Sequence, residues 1–356
     1  MPDRLLIYGA TGYTGRMIAA ELLNRGVRPI LAGRDAVRLA ATAERLGLEY
    51  RTADLGDPGR LEEICRDVAV VLHTAGPFSR TARPVVDACL RSASHYLDIT
   101  AEVEVIEALA GRDAEARARG IMVMPAVGFD VVPSDCLAAH VARRLPGATR
   151  LAIALTGLRL VTRGSAKTLI QAWDRGVVRR GGVLTRTPLG SLERVFDFGR
   201  GPRRSLNVSW GDVASAYYTT GIPDIETYCD SNPLLEAALL ASRSFGSVLS
   251  SMPMQTWLQT LAGLLPDGPT AAERAAAEMV IVAEASDAAG RRVRARLRTP
   301  EAYTFTAVTA AAICERVLRG DLEIGFQTPA RVYGPDFVLG FDGVRREDVG
   351  EVGSRQ

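Results

Sequence analysis

The sequence predicts an α/β chain of two domains, an N-terminal doubly wound parallel sheet followed by a C-terminal α+β domain, and three observations carry that prediction. Short apolar runs alternate with helical stretches over the first 125 residues, six strands against five helices. A glycine-punctuated turn, Gly9-Ala10-Thr11-Gly12-Tyr13-Thr14-Gly15, joins the first run to the first helix. Beyond Pro146 the rhythm changes and strands come in succession.

The first strand is Leu5 to Tyr8 and the first helix Met17 to Arg25. Between them the spacing G-x-x-G-x-x-G gives each glycine a task. Gly9 permits a tight turn, Gly12 lets backbone approach a pyrophosphate, and Gly15 lets the helix pack closely on the strand. The arrangement reads as a dinucleotide-binding turn with Thr11, Tyr13 and Thr14 alongside, and the architecture as a Rossmann sheet.

A second strand, Val27 to Ala32, ends at Gly33-Arg34. This strand end carries an acid when the ribose bears a free 2′-hydroxyl; here it carries a guanidinium, whose charge and donor fork suit a 2′-phosphate. NADP(H) is therefore favoured over NAD(H). Asp35 is the N-cap of the next helix, Ala36 to Leu46. The third strand, Glu49 to Ala53, closes at Asp54, a candidate adenine contact that turn chemistry explains equally well. Helix Gly59 to Arg66 and strand Val68 to Thr74 follow, and that strand delivers Ala75-Gly76-Pro77-Phe78 to the switch point of the sheet, on the nicotinamide side. Helix Thr81 to Arg91, strand His95 to Ile99 with Asp98 near its end, Glu102, helix Val103 to Arg119 and strand Ile121 to Pro125 complete the series. Gly128 to Asp135 breaks the pattern and marks the domain crossing, with Ser134 as N-cap of a helix through Leu145.

These signals divide the chain into a nucleotide-binding domain over 1–130, an α+β domain for substrate or oligomerisation over 131–325, and a segment 326–356 that returns to the first domain and ends in a frayed tail. Strands are expected at Arg150 to Thr156, Arg194 to Phe198, Ser205 to Trp210, Asp224 to Asp230, Met279 to Ser286 and Arg291 to Thr299, with the turn Asp287 to Gly290 joining the last two. Helices are expected at Ser165 to Arg175, Asp212 to Thr219 and Tyr303 to Arg319. Arg292, Arg294, Arg296 and Arg298 share a strand face, read as a solvated one. The apolar stretch Pro233 to Leu265 is a packing surface, a homodimer interface, or a lid for an apolar substrate, with peripheral membrane contact left open.

Forty-three Lys+Arg against 41 Asp+Glu leave +2, which makes no electrostatic case for nucleic acid. Five cysteines without a CxxC pair suit a reducing compartment, and three histidines without ligand spacing give no metal site. The first strand begins within four residues and no run reaches the ~18 apolar residues of a membrane span, so a cytoplasmic protein is expected.

The motifs quoted, together with Ala32-Gly33-Arg34, Tyr96-Leu97-Asp98, Gly128-Phe129-Asp130, Trp210-Gly211-Asp212 and Gly325-Phe326-Gln327-Thr328-Pro329, resemble those of the saccharopine dehydrogenase-like oxidoreductases, which include the mycobacterial trans-acting enoyl reductases. The resemblance implies a nicotinamide cofactor and reduction of a C=C or C=N bond in an apolar or carrier-bound intermediate. An amino-acid-derived imine, as in saccharopine reductases, and a non-catalytic NADP-binding regulator are the alternatives. Where the family often has Gly-Gly-Thr, this chain has Gly164-Ser165-Ala166-Lys167-Thr168, which brings a lysine to the substrate side. Candidate catalytic residues are Lys167, Asp98, Asp130 and Tyr96, with Glu102 a further proton donor; no Tyr-x-x-x-Lys pair is present among them.

Overall fold

The computed structural model describes residues 4–157, 162, 176–231, 236, 254, 257–258, 260–261 and 267–352. The chain divides into two units, residues 1–132 with 303–332 and residues 133–302 with 333–356.

In the first unit, strands β1 (Leu5–Tyr8), β2 (Ile30–Gly33), β3 (Tyr50–Thr52), β4 (Val70–His73), β5 (His95–Asp98), β6 (Met122–Met124) and β15 (Gly325–Phe326) form a parallel sheet in the order β15-β6-β5-β4-β1-β2-β3. Strands β1, β2, β4 and β5 are buried at every position, as a sheet sandwiched between helices requires. The crossovers are helices α1 (Tyr13–Asn24), α2 (Ala36–Leu46), α3 (Pro58–Cys65), α4 (Phe78–Ser92), α5 (Val103–Ala110) and α6 (Asp113–Arg119). Side chains from the turns start two of them: Asp35 accepts from Arg38 N at 3.0 Å and Asp57 from Arg60 N at 2.9 Å. Helix α2 ends at Gly47, whose φ of 62° only glycine adopts freely. One long helix was expected over Val103 to Arg119; Gly111 and Arg112 divide it in two.

Helix α7 (Val132–Arg144) begins two residues before Ser134, so Ser134 lies in its first turn and is not its cap. The second unit holds a nine-stranded sheet running β10 (Glu193–Asp197), β11 (Pro202–Val208), β12 (Asp224–Asp230), β7 (Arg150–Thr156), β13 (Glu278–Ser286), β14 (Arg292–Pro300), β16 (Arg345–Val352), with the hairpin β8 (Val177–Arg180) and β9 (Val183–Arg186) joined through β12. Only the β7–β12 pairing is parallel. Helices α8 (Asp212–Thr220) and α9 (Ala271–Ala275) belong to this unit, while α10 (Ala302–Leu318) and α11 (Pro329–Tyr333) cross between the units along the chain.

Three expectations change. Residues 303–325 belong to the first unit, because Thr306 and Thr309 of α10 hold the exit of β6: Thr306 Oγ1 accepts from Phe129 N and Thr309 Oγ1 donates to Val127 O, both at 3.0 Å. The charged tail is not frayed through Val352, since β16 pairs with β14 over Arg345 to Val352 and His140 Nε2 lies 2.7 Å from Asp348 Oδ1. The arginine row of β14 is only in part a solvated face: Arg292 is exposed, but Arg296 is buried, and Arg294 and Arg194 both pair with the buried Glu284 of β13. Burial alone would raise the Glu284 carboxyl; the two guanidinium groups outweigh it and hold it low.

Helix Ser165 to Arg175 lies outside the described residues, as do Lys167 and most of Pro233 to Leu265, of which Glu236, Met254, Trp257, Leu258, Thr260 and Leu261 are described. Among the described residues no helix is long and apolar enough to cross a membrane.

Candidate cofactor and active site

The turn after β1 is shaped by close backbone approach. Gly9 has φ +92°, and a Cβ there would lie 2.7 Å from Ala75 N. A Cβ on Gly15 would lie 2.6 Å from Gly9 O and 2.9 Å from Thr74 Oγ1. Gly9 N donates to Ala32 O at 2.8 Å and Gly12 N to Gly9 O at 3.0 Å, which ties the turn to β2 and closes it on itself. Gly12 is exposed and stands at the N-cap of α1, with no side-chain cap and no acid in the first turn. No side chain competes with an anion at the positive end of α1, the arrangement a diphosphate needs. Thr11, Tyr13 and Thr14 are half-buried around it, and the Tyr13 ring meets Tyr303 of α10 edge-on at 5.5 Å.

Arg34 follows β2, is exposed and has no ion-pair partner among the described residues. It shares the sheet edge with Asp54, since both charges act on the Tyr8 hydroxyl. Burial pushes that hydroxyl up to about 12, with Asp54 raising it further and Arg34 opposing, while it donates to Ala53 O at 3.0 Å. Asp54 Oδ1 accepts from Gly56 N at 2.8 Å, so one of its oxygens is occupied by the turn.

The loop Thr74 to Phe78 at the end of β4 is pinned from three sides. Thr74 N donates to Tyr8 O at 2.8 Å, and Thr81 Oγ1 donates to Ala75 O at 2.6 Å. The Gly76–Pro77 peptide is cis. Glu102, a candidate proton donor in the sequence, accepts from Phe78 N at 2.6 Å and Ser79 N at 2.9 Å. Both carboxylate oxygens therefore cap α4, which starts three residues before the expected Thr81. Gly76 stays exposed at the tip, with Ala75 and Pro77 half-buried.

Tyr96 and Asp98 come together beneath this loop. Tyr96 Oη donates to Asp98 Oδ2 at 2.8 Å, and Asp98 Oδ1 accepts from Thr100 N and Ala126 N, each at 2.9 Å. Both side chains are fully buried. Burial lifts the Asp98 carboxyl to about 6 despite those three donors, and burial together with Asp98 drives the Tyr96 hydroxyl well above its ordinary range. Asp98 also anchors Ala126, which holds φ +60°, a conformation costing an alanine on the order of 1 kcal/mol. Asp130 lies four residues beyond, half-buried, with burial pushing its carboxyl to about 7.

His73, one of the three histidines whose spacing suggests structural residues and not ligands, is fully buried, and its Nδ1 lies 3.1 Å from Tyr96 Oη. Its signal was a lone imidazole in the apolar run Val68 to Thr74. Tyr303 had no local signal, because its partner Tyr13 lies 290 residues away in the sequence.

A parallel sheet of this strand order, a glycine turn opening onto an uncapped helix and a free guanidinium after β2 define a dinucleotide-binding domain with room for a 2′-phosphate. Residues 5–124 match the family described as Saccharopine dehydrogenase NADP binding domain, which makes NADP(H) the cofactor of this segment. The chain is 34% identical over 148 residues to a trans-acting enoyl reductase of Mycobacterium ulcerans, covering 39% of this chain and 35% of the relative. It is 27% identical over 154 residues to a saccharopine dehydrogenase-like oxidoreductase of Bos taurus, covering 38% and 36%. The matched part thus spans about a third of the length of these curated relatives. Apo saccharopine dehydrogenase (L-Glu forming) from Saccharomyces cerevisiae shares the fold over 98% of this chain and all of its own, with a TM-score of 0.64 at 12% identity.

Proposed function

We propose that the protein is an NADP(H)-dependent oxidoreductase that reduces a C=C or C=N bond in an apolar or carrier-bound intermediate. The observation that carries this reading is the cradle at Gly9, Gly12 and Gly15, which a Cβ would fill at Gly9 or Gly15 and which opens onto the N–H groups of α1. NADPH, when bound, supplies the hydride. The turn and the α1 N-terminus hold the diphosphate, Arg34 takes the 2′-phosphate, and the loop Ala75 to Phe78 receives the nicotinamide end.

Asp130 is the proton donor of this reading, through a carboxyl poised near about 7 on a half-buried side chain. Asp98 and Tyr96 are positioning residues: their polar atoms are committed to each other and to the backbone of Thr100 and Ala126. Lys167 is a further candidate donor on sequence grounds. The enoyl class is favoured by the similarity to trans-acting enoyl reductases and by the apolar content of 233–265.

The test is NADPH consumption by the purified full chain with a medium-chain enoyl thioester, a keto acid plus an amino acid, and neither. Turnover with the thioester supports the reading, and turnover confined to the imine-forming pair moves the substrate to amino-acid chemistry. NADPH binding with no turnover on either overturns the enzymatic reading in favour of a regulator.

A further inference from the structure

The chemistry proposed above gives no role to His73, which ends a chain of three buried polar side chains. His73 on β4, Tyr96 on β5 and Asp98 at the end of β5 are each completely buried. Nδ1 of His73 lies 3.1 Å from Tyr96 Oη, and Tyr96 Oη lies 2.8 Å from Asp98 Oδ2. At the other end Nε2 of His73 is buried and makes no full hydrogen bond, while the Ala75 backbone lies close enough to act on the ring and favour its protonated form. The imidazole sits directly below the loop Ala75 to Phe78, edge-on to the Phe78 ring at 5.0 Å and to Tyr8 at 5.9 Å, with the Ala75 backbone beside it.

A tyrosine hydroxyl has one proton, so the middle of this chain points one way at a time. With Asp98 ionised, Tyr96 donates to Oδ2, its oxygen accepts from Nδ1–H of His73, and Nε2 is a bare lone pair. With a proton on Oδ2, Asp98 donates to Tyr96 Oη, Tyr96 donates to Nδ1, and the imidazole proton resides on Nε2. The second state holds one proton more than the first. A proton arriving at Nε2 releases the Nδ1 proton to Tyr96, and Tyr96 releases its own to Asp98, so every bond formed matches one broken.

We propose that His73, Tyr96 and Asp98 form a two-state hydrogen-bond relay in which one proton taken up by Asp98 switches the His73 tautomer and resets the loop Ala75 to Phe78 that receives the cofactor. The role of that loop rests on the function proposed above; the relay itself does not. His73 and Tyr96 are positioning residues here, since they act on the loop from beneath it.

The groups facing the relay suit such a switch. Asp98 faces Tyr96 on its own strand, His73 on β4, the Thr100 and Ala126 N–H groups, and Glu102, whose charge opposes a second one on Asp98. Cys89 of α4 faces Tyr96. Burial holds the imidazole of His73 far below its ordinary value, to about 3, so it stays neutral while Asp98, near about 6, changes state.

The chain contains three histidines, so histidine labelled with ¹⁵N reports the tautomer directly. His95 serves as internal reference, because its Nδ1 accepts from Met122 N at 3.0 Å and its proton is therefore on Nε2. In the cofactor-free full chain, titrated from about pH 8 to about pH 5, His73 is expected to remain neutral and to pass from Nδ1–H to Nε2–H. In Asp98→Asn the carboxamide oxygen takes the two backbone donors and its NH₂ donates to Tyr96, so Nε2–H is expected at every pH. In Tyr96→Phe the tautomer no longer changes with pH. NADPH affinity, read by fluorescence titration, is expected to change about fivefold or more across the same transition in the wild type and to be flat in Asp98→Asn.

A wild-type tautomer that is invariant with pH overturns the relay, as does a switch that survives in Tyr96→Phe. A tautomer switch with pH-independent NADPH affinity overturns its coupling to the loop. No NADPH binding at any pH would overturn the proposed function instead, and the nitrogen titration still decides the relay. The wild-type titration suffices even if a variant does not fold.

Discussion

Gly15→Ala tests the cradle at its tightest point. The new Cβ would meet Gly9 O at 2.6 Å, Thr74 Oγ1 at 2.9 Å and Ala10 Cα at 3.0 Å, where ordinary contact begins at 3.4 Å. Two of these atoms are backbone, so a rotamer change cannot relieve the clash and α1 must lift off the turn. Overpacking of this kind costs about 1–3 kcal/mol. Moving Gly9 O also loosens its 3.0 Å bond from Gly12 N, worth about 1 kcal/mol. The gain in helix propensity on replacing glycine returns about 1 kcal/mol, leaving a net loss of about 1–3 kcal/mol. Urea unfolding by circular dichroism reads the stability, and NADPH fluorescence titration is expected to show at least a roughly tenfold weaker affinity as the N–H groups of α1 move. Gly111→Ala is the control: its Cβ would lie 3.5 Å from Ala108 O at a φ of −62°, and a change within about 0.5 kcal/mol is expected. A Gly15→Ala protein as stable and as tight for NADPH as the wild type would refute the packing argument.

Arg34→Asp should weaken NADPH by about 10- to 100-fold while sparing NADH, as loss of a charge-assisted contact of about 1.5–3 kcal/mol implies; paired titrations with the two cofactors check the ratio. The Asp98 carboxyl rises from 3.8 to about 6 on folding, so between those values the folded chain binds more protons than the unfolded one and stability falls as pH rises, by about 3 kcal/mol in all. Asp98→Asn should remove that slope, seen as a smaller difference in urea midpoint between acidic and neutral pH than in the wild type. If Asp130 delivers the proton, turnover should decline above about pH 7 as its carboxyl ionises, and Asp130→Asn should flatten that limb and slow turnover by about 10²-fold or more. Glu284→Ala strands Arg194 and Arg294, both partly exposed, and should cost about 2–3 kcal/mol, below the roughly 3–5 kcal/mol of a fully buried pair, by thermal unfolding.

The nucleotide-binding half was legible because its signals are local. A strand, a glycine turn and a helix lie within twenty residues, and Asp35 and Gly47 bracket α2 in plain view. The strand β16 was not, because Arg345-Arg346-Glu347-Asp348 looks like a solvated tail until Arg296 and Arg298 of β14 stand opposite it. The arginine row was partly legible: the turn at Asp287 to Gly290 sets Ser286 against Arg292 and therefore Glu284 against Arg294, which already places an acid among the arginines. At the candidate site, Asp98 could be singled out from its motif, whereas its commitment to Ala126 and Tyr96 depends on strand pairing. Glu102 looked like a free acid for the same reason, since the N–H groups it caps belong to a helix 23 residues earlier.

The parallel sheet of the first unit is completed by β15, whose Gly325 and Phe326 pair with Met122 and Val123 of β6. During synthesis β6 therefore emerges long before its neighbour, and the roughly 170 residues from Pro133 to Ala302 must be added first, an interval on the order of ten to thirty seconds at ordinary elongation rates. For that time the nascent chain carries a bare apolar strand edge, Met122 to Met124, of the kind that pairs with other chains. The cofactor domain thus begins to emerge before the second unit and is completed only after it, so its open edge stays exposed for as long as the second unit takes to be made.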